Sequence, residues 1–338
     1  MKLSIIIPLY NSGHFLHKCV DSLLNQDIQL DEYEILIIND GSTDNSLEVA
    51  ITLEEKHSNI AVHTKANGGV GSARNLGLSL SKGDYVYFID PDDYLAPNVL
   101  KTVYNTAKNN SLDILTFLYQ PTRDSKLFND NPNFENIKLS QICSGIDYIA
   151  DNPFQNEVWW YLIKNTFIQK ANITFIEDRW MEDAIITAQL FLAANKMAKL
   201  PLDVHRHLIV EGSAMTSKEP IHYLKVIDDN RNAAVVYESL IKGLIKKNSN
   251  PNCINRLRIK QQSFVFFMMV RMLKSTIHLD QVKQTIEELS KTGAYPLTHF
   301  ISNDYNKLYY SILTKLFNGK KGFYLLFKLF NPILRVIS

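Results

Sequence analysis

Tyr85-Val86-Tyr87-Phe88-Ile89-Asp90-Pro91-Asp92-Asp93 decides how this chain folds. Five aromatic or aliphatic residues in a row suit a strand buried on both faces, and the Asp-Pro pair after them starts a turn. The same grammar recurs upstream. Leu3-Ser4-Ile5-Ile6-Ile7-Pro8-Leu9 reads as a buried strand running into Tyr10-Asn11-Ser12-Gly13. Glu34-Ile35-Leu36-Ile37-Ile38-Asn39 runs into Asp40-Gly41-Ser42-Thr43-Asp44, and Ile60–Thr64 is a third, shorter strand. Between the first two, Phe15, Leu16, Cys19, Val20, Leu23 and Leu24 recur at helical spacing. Asn45 and Glu48 have the spacing of a capping box. A further helix, entered at Gly68-Gly69-Val70-Gly71, is expected to end with Gly83 as its left-handed cap.

Strand and helix thus alternate four times before residue 110. That order dictates right-handed crossovers and an α/β fold, a mostly parallel sheet with helices on both faces. Ligands of such sheets lie outside the carboxyl ends of the strands. Pro8–Asn11, Asp40–Ser42 and Asp90–Asp93 all fall there, so three polar loops are predicted to converge on one crevice. Asp113–Tyr119 reads as a fifth strand, residues 120–157 as loops rich in Asn, Asp and Pro, and residues 220–338 as helical, with segments at 259–274 and 279–289.

Of the 338 residues, 46% are hydrophobic and 21% charged, which supports packed cores and excludes global disorder. The three cysteines, Cys19, Cys143 and Cys253, are far apart and lack CxxC spacing. They argue against a disulfide framework or thiolate zinc site and for a reducing compartment. The opening apolar run is broken by Pro8 and is too short for a signal peptide. No uncharged apolar stretch is long enough to span a bilayer. Residues 1–217 carry 17 Lys+Arg against 27 Asp+Glu, and residues 218–338 carry 19 against 8. We therefore expect two domains, 1–217 and 218–338, with different partners. Two solvated surfaces that attract one another would give the same asymmetry.

Asp90, Asp92 and Asp93 crowd three carboxylates into four residues, and a divalent cation with a taste for hard oxygen ligands relieves their repulsion. A turn with solvated carboxylates is the plainer alternative. Asn67-Gly68-Gly69-Val70-Gly71-Ser72-Ala73-Arg74-Asn75 puts glycines at a helix entrance, where free amides favour anions. Arg74 stands where a dinucleotide fingerprint needs its third glycine, so that reading fails. Glu182-Asp183 opens a helix, either as dipole-favoured acids or as a carboxylate poised for general-base work.

These strings together resemble the family 2 glycosyltransferases, which have a GT-A fold, over most of residues 3–216. The resemblance implies that Pro8 and Tyr10 flank a nucleotide base and that Asp40 accepts a hydrogen bond from it. It implies that Asn67 and Arg74 line the donor's diphosphate side, Asp90 binds the ribose, and Asp92 holds Mn2+ or Mg2+. Trp159–Lys164 would face the acceptor and Asp183 would take its proton. His205 or His207, in a strand before Glu211-Gly212-Ser213-Ala214-Met215-Thr216, would be a further metal ligand. The Tyr/Arg-rich strand that many relatives carry there is missing.

The activity implied by the resemblance is that of an inverting, metal-dependent hexosyl- or N-acetylhexosaminyl-transferase. Its donor would be a nucleotide sugar, a UDP-sugar by the family's habit. Its acceptor would be a glycan or lipid-diphosphate-linked glycan in capsule or related polysaccharide synthesis. Nucleic acid has no part in it. The enzyme would be cytoplasmic, with a peripheral place on the inner face of the membrane. Two rivals are a nucleotidyltransferase or phosphatase built on Asp90 and Asp92, which leaves Asp40 and Asp183 without roles, and a silent sugar-nucleotide-binding protein. In the tail, 318–338, Lys321, Lys328 and Arg335 recur every seven residues beside Phe323, Leu326, Phe327 and Phe330. That stripe suits a membrane interface or packing on the protein's own helices.

Overall fold

The computed structural model describes residues 1–337 except 124–125 and 211–218, with side chains to residue 334. The Glu211–Thr216 segment and the boundary expected after residue 217 lie outside the described residues. The chain divides into two compact units, Met1–Tyr148 with Gln155–Glu211, and Ile149–Phe154 with Gly212–Ser338.

The first unit opens with β1 (Leu3–Leu9), α1 (Gly13–Leu24), β2 (Tyr33–Asn39), α2 (Ser46–Lys56), β3 (Ile60–Thr64), α3 (Val70–Leu80) and β4 (Tyr85–Phe88). It continues through β5 (Tyr94–Leu95), α4 (Leu100–Asn109), β6 (Ile114–Thr122), the start of α5 (Gly145–Asp151), whose last three residues belong to the second unit, β7 (Tyr161–Lys164), α6 (Asn165–Ala171), α7 (Glu182–Ala193) and β8 (Met197–Leu208). One eight-stranded sheet results, in the order β3-β2-β1-β4-β7-β6-β8-β5. From β3 to β4 every pair is parallel, the half that the alternating sequence foretold. Beyond β4 the sheet is mixed, with β7 antiparallel to both its neighbours, β8 parallel to β6 and β5 antiparallel to β8.

All seven residues of β1 are buried, so both faces of the sheet are covered there. Leu3, Ile5, Ile7 and Leu9 join a core with Leu16 and Val20 of α1 and Val103 of α4. On the other face α3 comes very close: a Cβ on Gly77 would lie 2.4 Å from Cγ2 of Ile6. Any side chain at 77 would push the helix off the strand.

Two local expectations change. α3 ends at Leu80 with Ser81 as its cap, and Gly83 lies beyond it. A Cβ on Gly83 would stand 2.4 Å from the Ser4 amide, so this glycine serves close passage beside β1 and not a left-handed cap. At α2, Asn45 makes no side-chain cap bond. Asp44 takes that part, its Oδ1 accepting from the Ser46 amide at 2.9 Å.

The second unit is helical: α8 (Pro220–Lys246), α9 (Pro251–Lys274), α10 (Leu279–Ser290), α11 (Leu308–Asn318) and α12 (Lys320–Ile337). Phe266, Met269 and Met272 of α9 form its core with Ile286 and Phe317. α12 runs unbroken through Gly322 and Pro332, and Phe323 and Phe327 are buried in that core with Leu326 packed against it. The aromatic stripe of the tail therefore packs on the unit's own helices, while Phe330 stays exposed. Among the described residues no helix is long and apolar enough to cross a membrane.

Candidate active site

The loops after β1 and β2 are stitched together. The Asn11 amide donates to Oγ of Ser42 at 3.1 Å, and Oδ1 of Asn11 accepts from the Thr43 amide at 2.8 Å. Oγ of Ser46 accepts from the amides of Ser12 and Gly13 at 2.9 and 2.7 Å. Pro8 is buried within β1, whereas Tyr10 just beyond it is 48% exposed.

Asp40, just after β2, is a buried carboxylate with three donors already on it. The amides of Gly68 and Gly69 reach it at 3.0 and 2.8 Å, and Nζ of Lys65 at 2.8 Å. Gly69 has φ of 83°, a left-handed conformation that favours glycine, and it opens α3. Asp40 thus fixes the entrance of that helix. A carboxylate has about four acceptor sites, and the Gly68 amide also lies 3.3 Å from its second oxygen, so most of that capacity is used. Asn67, beside this turn, is exposed.

The loop after β4 is wired to β8 through Asp93. That buried carboxylate accepts from the Leu208 amide at 2.8 Å and pairs with Nε2 of His205 at 2.9 Å and Nδ1 of His207 at 3.2 Å. His205 is fully buried, its Nδ1 is 2.8 Å from the Tyr87 hydroxyl, and its ring stacks on Trp159 at 4.4 Å. Burial alone would raise the pKa of Asp93, but the two imidazoles hold it below the ordinary carboxylate range. The hydrogen bond to Asp93 in turn raises that of His207.

Asp92 is the opposite case. Burial first, then the charges of Asp93 and Asp90, push its pKa up to about 7. Ligand atoms of Asp93, His205 and His207 lie within 4.8 Å of one another. Both ring nitrogens of His205 are already engaged, so it serves as a brace. His207 is less buried and Asp92 carries an unrelieved charge, and these two have most to gain from a cation. The donor set of carboxylate oxygens with an imidazole fits a divalent metal such as Mn2+ or Mg2+.

Arg74, on α3, joins the two acidic segments. It is buried, with one guanidinium nitrogen 2.8 Å from Oδ1 of Asp90 and the other 2.8 Å from Oε1 of Glu182. Burial would lower its pKa, yet Asp90 and Glu182 raise it overall. Glu182 and Asp183 open α7. Burial raises the pKa of Glu182, with Arg74 opposing. Asp183 is raised well above the ordinary aspartate value, by burial first and the Glu182 charge second.

Two things were out of reach of the sequence. The motif strings gave no sign that Glu182 is the counter-ion of Arg74 or that Asp93 is a hub for two histidines. The His205-x-His207 alternation was the available signal, since residues two apart on a strand share a face.

The fold compares with a solved structure, "Crystal structure of S. aureus TarS 1-349 in complex with UDP", with a TM-score of 0.67, 19% identity, and coverage of 98% of this chain and 92% of that one. The molecule is an α/β protein of the GT-A class. Residues 4–170, just under half of the chain, match the family described as Glycosyl transferase family 2. An "Uncharacterized glycosyltransferase EpsJ" of Bacillus subtilis strain 168 is 33% identical over 202 residues, 59% of this chain and 58% of that protein. The Staphylococcus aureus strain N315 "Poly(ribitol-phosphate) beta-N-acetylglucosaminyltransferase TarP" is 28% identical over 255 residues, 73% of this chain and 74% of the other. This chain thus spans under two thirds of the length of EpsJ.

Proposed function

We propose that this protein transfers one sugar, with inversion, from a nucleotide sugar of the UDP type to a hydroxyl of a glycan or lipid-diphosphate-linked glycan in surface-polymer synthesis. The observation that carries the reading is Arg74. It holds Asp90, beside the candidate metal ligand Asp92, and Glu182, beside the candidate base Asp183, in one ion network around a buried guanidinium. A donor-side loop and a base far apart in sequence are thereby held in a fixed relation. Likeness to TarP, named as an N-acetylglucosaminyltransferase, and to TarS, solved in complex with UDP, supports the same reading.

In this reading Pro8, Tyr10 and Asp40 receive the base, Asn67 lies on the donor side, and Asp90 takes the ribose. Arg74 acts through the carboxylates it holds, since both its terminal nitrogens are engaged. Asp92 and His207 would hold Mn2+ or Mg2+, which as a Lewis acid offsets the charge of a departing diphosphate. Asp183 accepts the proton of the acceptor hydroxyl as its oxygen bonds to the anomeric carbon, and the nucleoside diphosphate leaves with the electron pair of the broken bond. Its raised pKa makes it a stronger base than an ordinary aspartate. A lipid-carried acceptor places the protein at the inner face of the membrane.

The test is thermal stabilisation by UDP, GDP, CDP and TDP, each with and without manganese, followed by nucleotide release from a panel of nucleotide sugars. UDP should stabilise, and manganese should enlarge the shift. No stabilisation by any nucleotide under either condition would overturn the assignment.

A further inference from the structure

Each of the last two helices carries exposed aliphatic side chains that the core does not use. On α12 the buried side runs through Phe323, Phe327 and Asn331. Leu325, Leu329 and Ile333 lie two residues on from each, about 200° around a helix of 3.6 residues per turn. On α11, Leu308, Ile312 and Leu316 form a stripe at the same i, i+4, i+8 spacing, away from buried Thr314 and Phe317. These six aliphatic residues are between 43% and 76% exposed. Lys321 and Lys328 run between the two stripes of α12, about 140–160° from Phe323 on the same wheel. Both are exposed, as are Lys307 and Lys315. From residue 305 to the last residue the sequence contains no Asp or Glu.

We infer that this surface docks on an anionic lipid bilayer, with the aliphatic stripes entering the headgroup boundary and the lysines meeting lipid phosphates. The charge decides among occupants. A second copy of the chain meeting the patch about a two-fold axis would set lysines against lysines with no acid from this stretch to pair them. A bilayer of anionic headgroups supplies both an apolar boundary and the opposite charge. Because no described helix is long and apolar enough to cross, the pair lies on the membrane. The inference rests on the lipid-carried acceptor for its purpose, and on residues of the second unit alone for its geometry.

The experiment is co-sedimentation of the full chain with vesicles of phosphatidylglycerol or of phosphatidylcholine, at low and high salt. Binding should favour phosphatidylglycerol and weaken at high salt. The triple variant Leu325→Ser, Leu329→Ser, Ile333→Ser touches exposed side chains only, so its melting curve should stay close to wild type while vesicle binding drops. Reversing Lys321 and Lys328 to Glu should weaken binding by at least about tenfold. Equal binding to both vesicle types, or no loss in a folded triple variant, overturns the inference. So does an oligomer in sedimentation velocity that the triple variant disperses, with no vesicle binding by wild type. UDP-dependent stabilisation measured without vesicles reports on the donor site separately, so either idea can fail while the other stands.

Discussion

β2 and β4 both end in acidic loops at the carboxyl edge of the parallel half-sheet, yet the two loops are in opposite electrostatic states. Asp40 is held by two amides and Lys65, and its charge fixes the entrance to α3. Asp92 is pushed up to about 7, by burial first and by the charges of Asp93 and Asp90 next. Within the second loop the same split recurs, since Asp93 is satisfied by two imidazoles and an amide. Position at a strand end therefore does not settle what an aspartate does. The count of donors already on it does: satisfied carboxylates build the site, and strained ones are left for ligand, metal or proton.

The largest test of that division is Asp183, the most strained of these groups. Asp183→Asn keeps the shape and removes the proton acceptor, so transfer should fall by roughly 10²–10⁴-fold. UDP-dependent stabilisation should match wild type, because the base acts on the acceptor. Full transfer by Asp183→Asn would remove it from the chemistry.

Asp92→Asn should abolish the enhancement by manganese and nearly all turnover. It should also raise the melting temperature of chelator-treated protein at pH 8, by about 2 °C or more. The sign comes from linkage. A carboxyl raised on folding from its ordinary 3.8 to about 7 loses stability as pH rises between those values, and the penalty is complete above 7. Below pH 3.8 the variant and wild type should melt alike. A destabilised Asp92→Asn protein at pH 8 would place Asp92 among the builders.

Glu182 tests the coupling between a satisfied and a strained neighbour. Its charge helps raise the pKa of Asp183, so Glu182→Gln should lower that pKa. A base must be deprotonated to work, so the acidic limb of transfer should move to lower pH, by about one unit. Movement to higher pH would mean that freeing Arg74 from Glu182 matters in some other way.

How far these roles were legible depends on their range in sequence. The parallel half of the sheet was readable because each strand is followed at once by its turn and helix, as in Ile60–Thr64, which the structure reproduces residue for residue. The pairing of β7 and β8 was not, although a strand was expected around His205 and His207, because their partners are chosen by packing across long separations, such as Thr116 beside Tyr161 and Lys199. Motif residues could be named from local strings, but not their partners: nothing near Arg74 in sequence announces Glu182, and nothing near Asp93 announces His205. The tail shows the same limit. Its aromatic stripe could be seen, but which of two apolar faces the core would take could not, and the core took Phe323 and Phe327 and left Leu325 and Leu329 exposed.

The smallest expected effect belongs to the most satisfied group. Asp40→Asn keeps one acceptor oxygen but loses the charge and turns an amide donor toward Gly68, Gly69 and Lys65, which are donors themselves. Stability should fall by about 1–3 kcal/mol, the usual cost of leaving such a bond unmade in a buried place. Manganese should not restore it, because no bond of Asp40 involves the metal loop. UDP binding should weaken with and without manganese alike, since the base pocket and the α3 entrance share this carboxylate. Lys65→Met should cost less than Asp40→Asn, because it removes one of three donors and leaves the two amides in place. If Asp40→Asn instead melted higher than wild type, as Asp92→Asn is expected to, then counting donors would not separate the two loops, and the contrast between them would have to rest on burial alone.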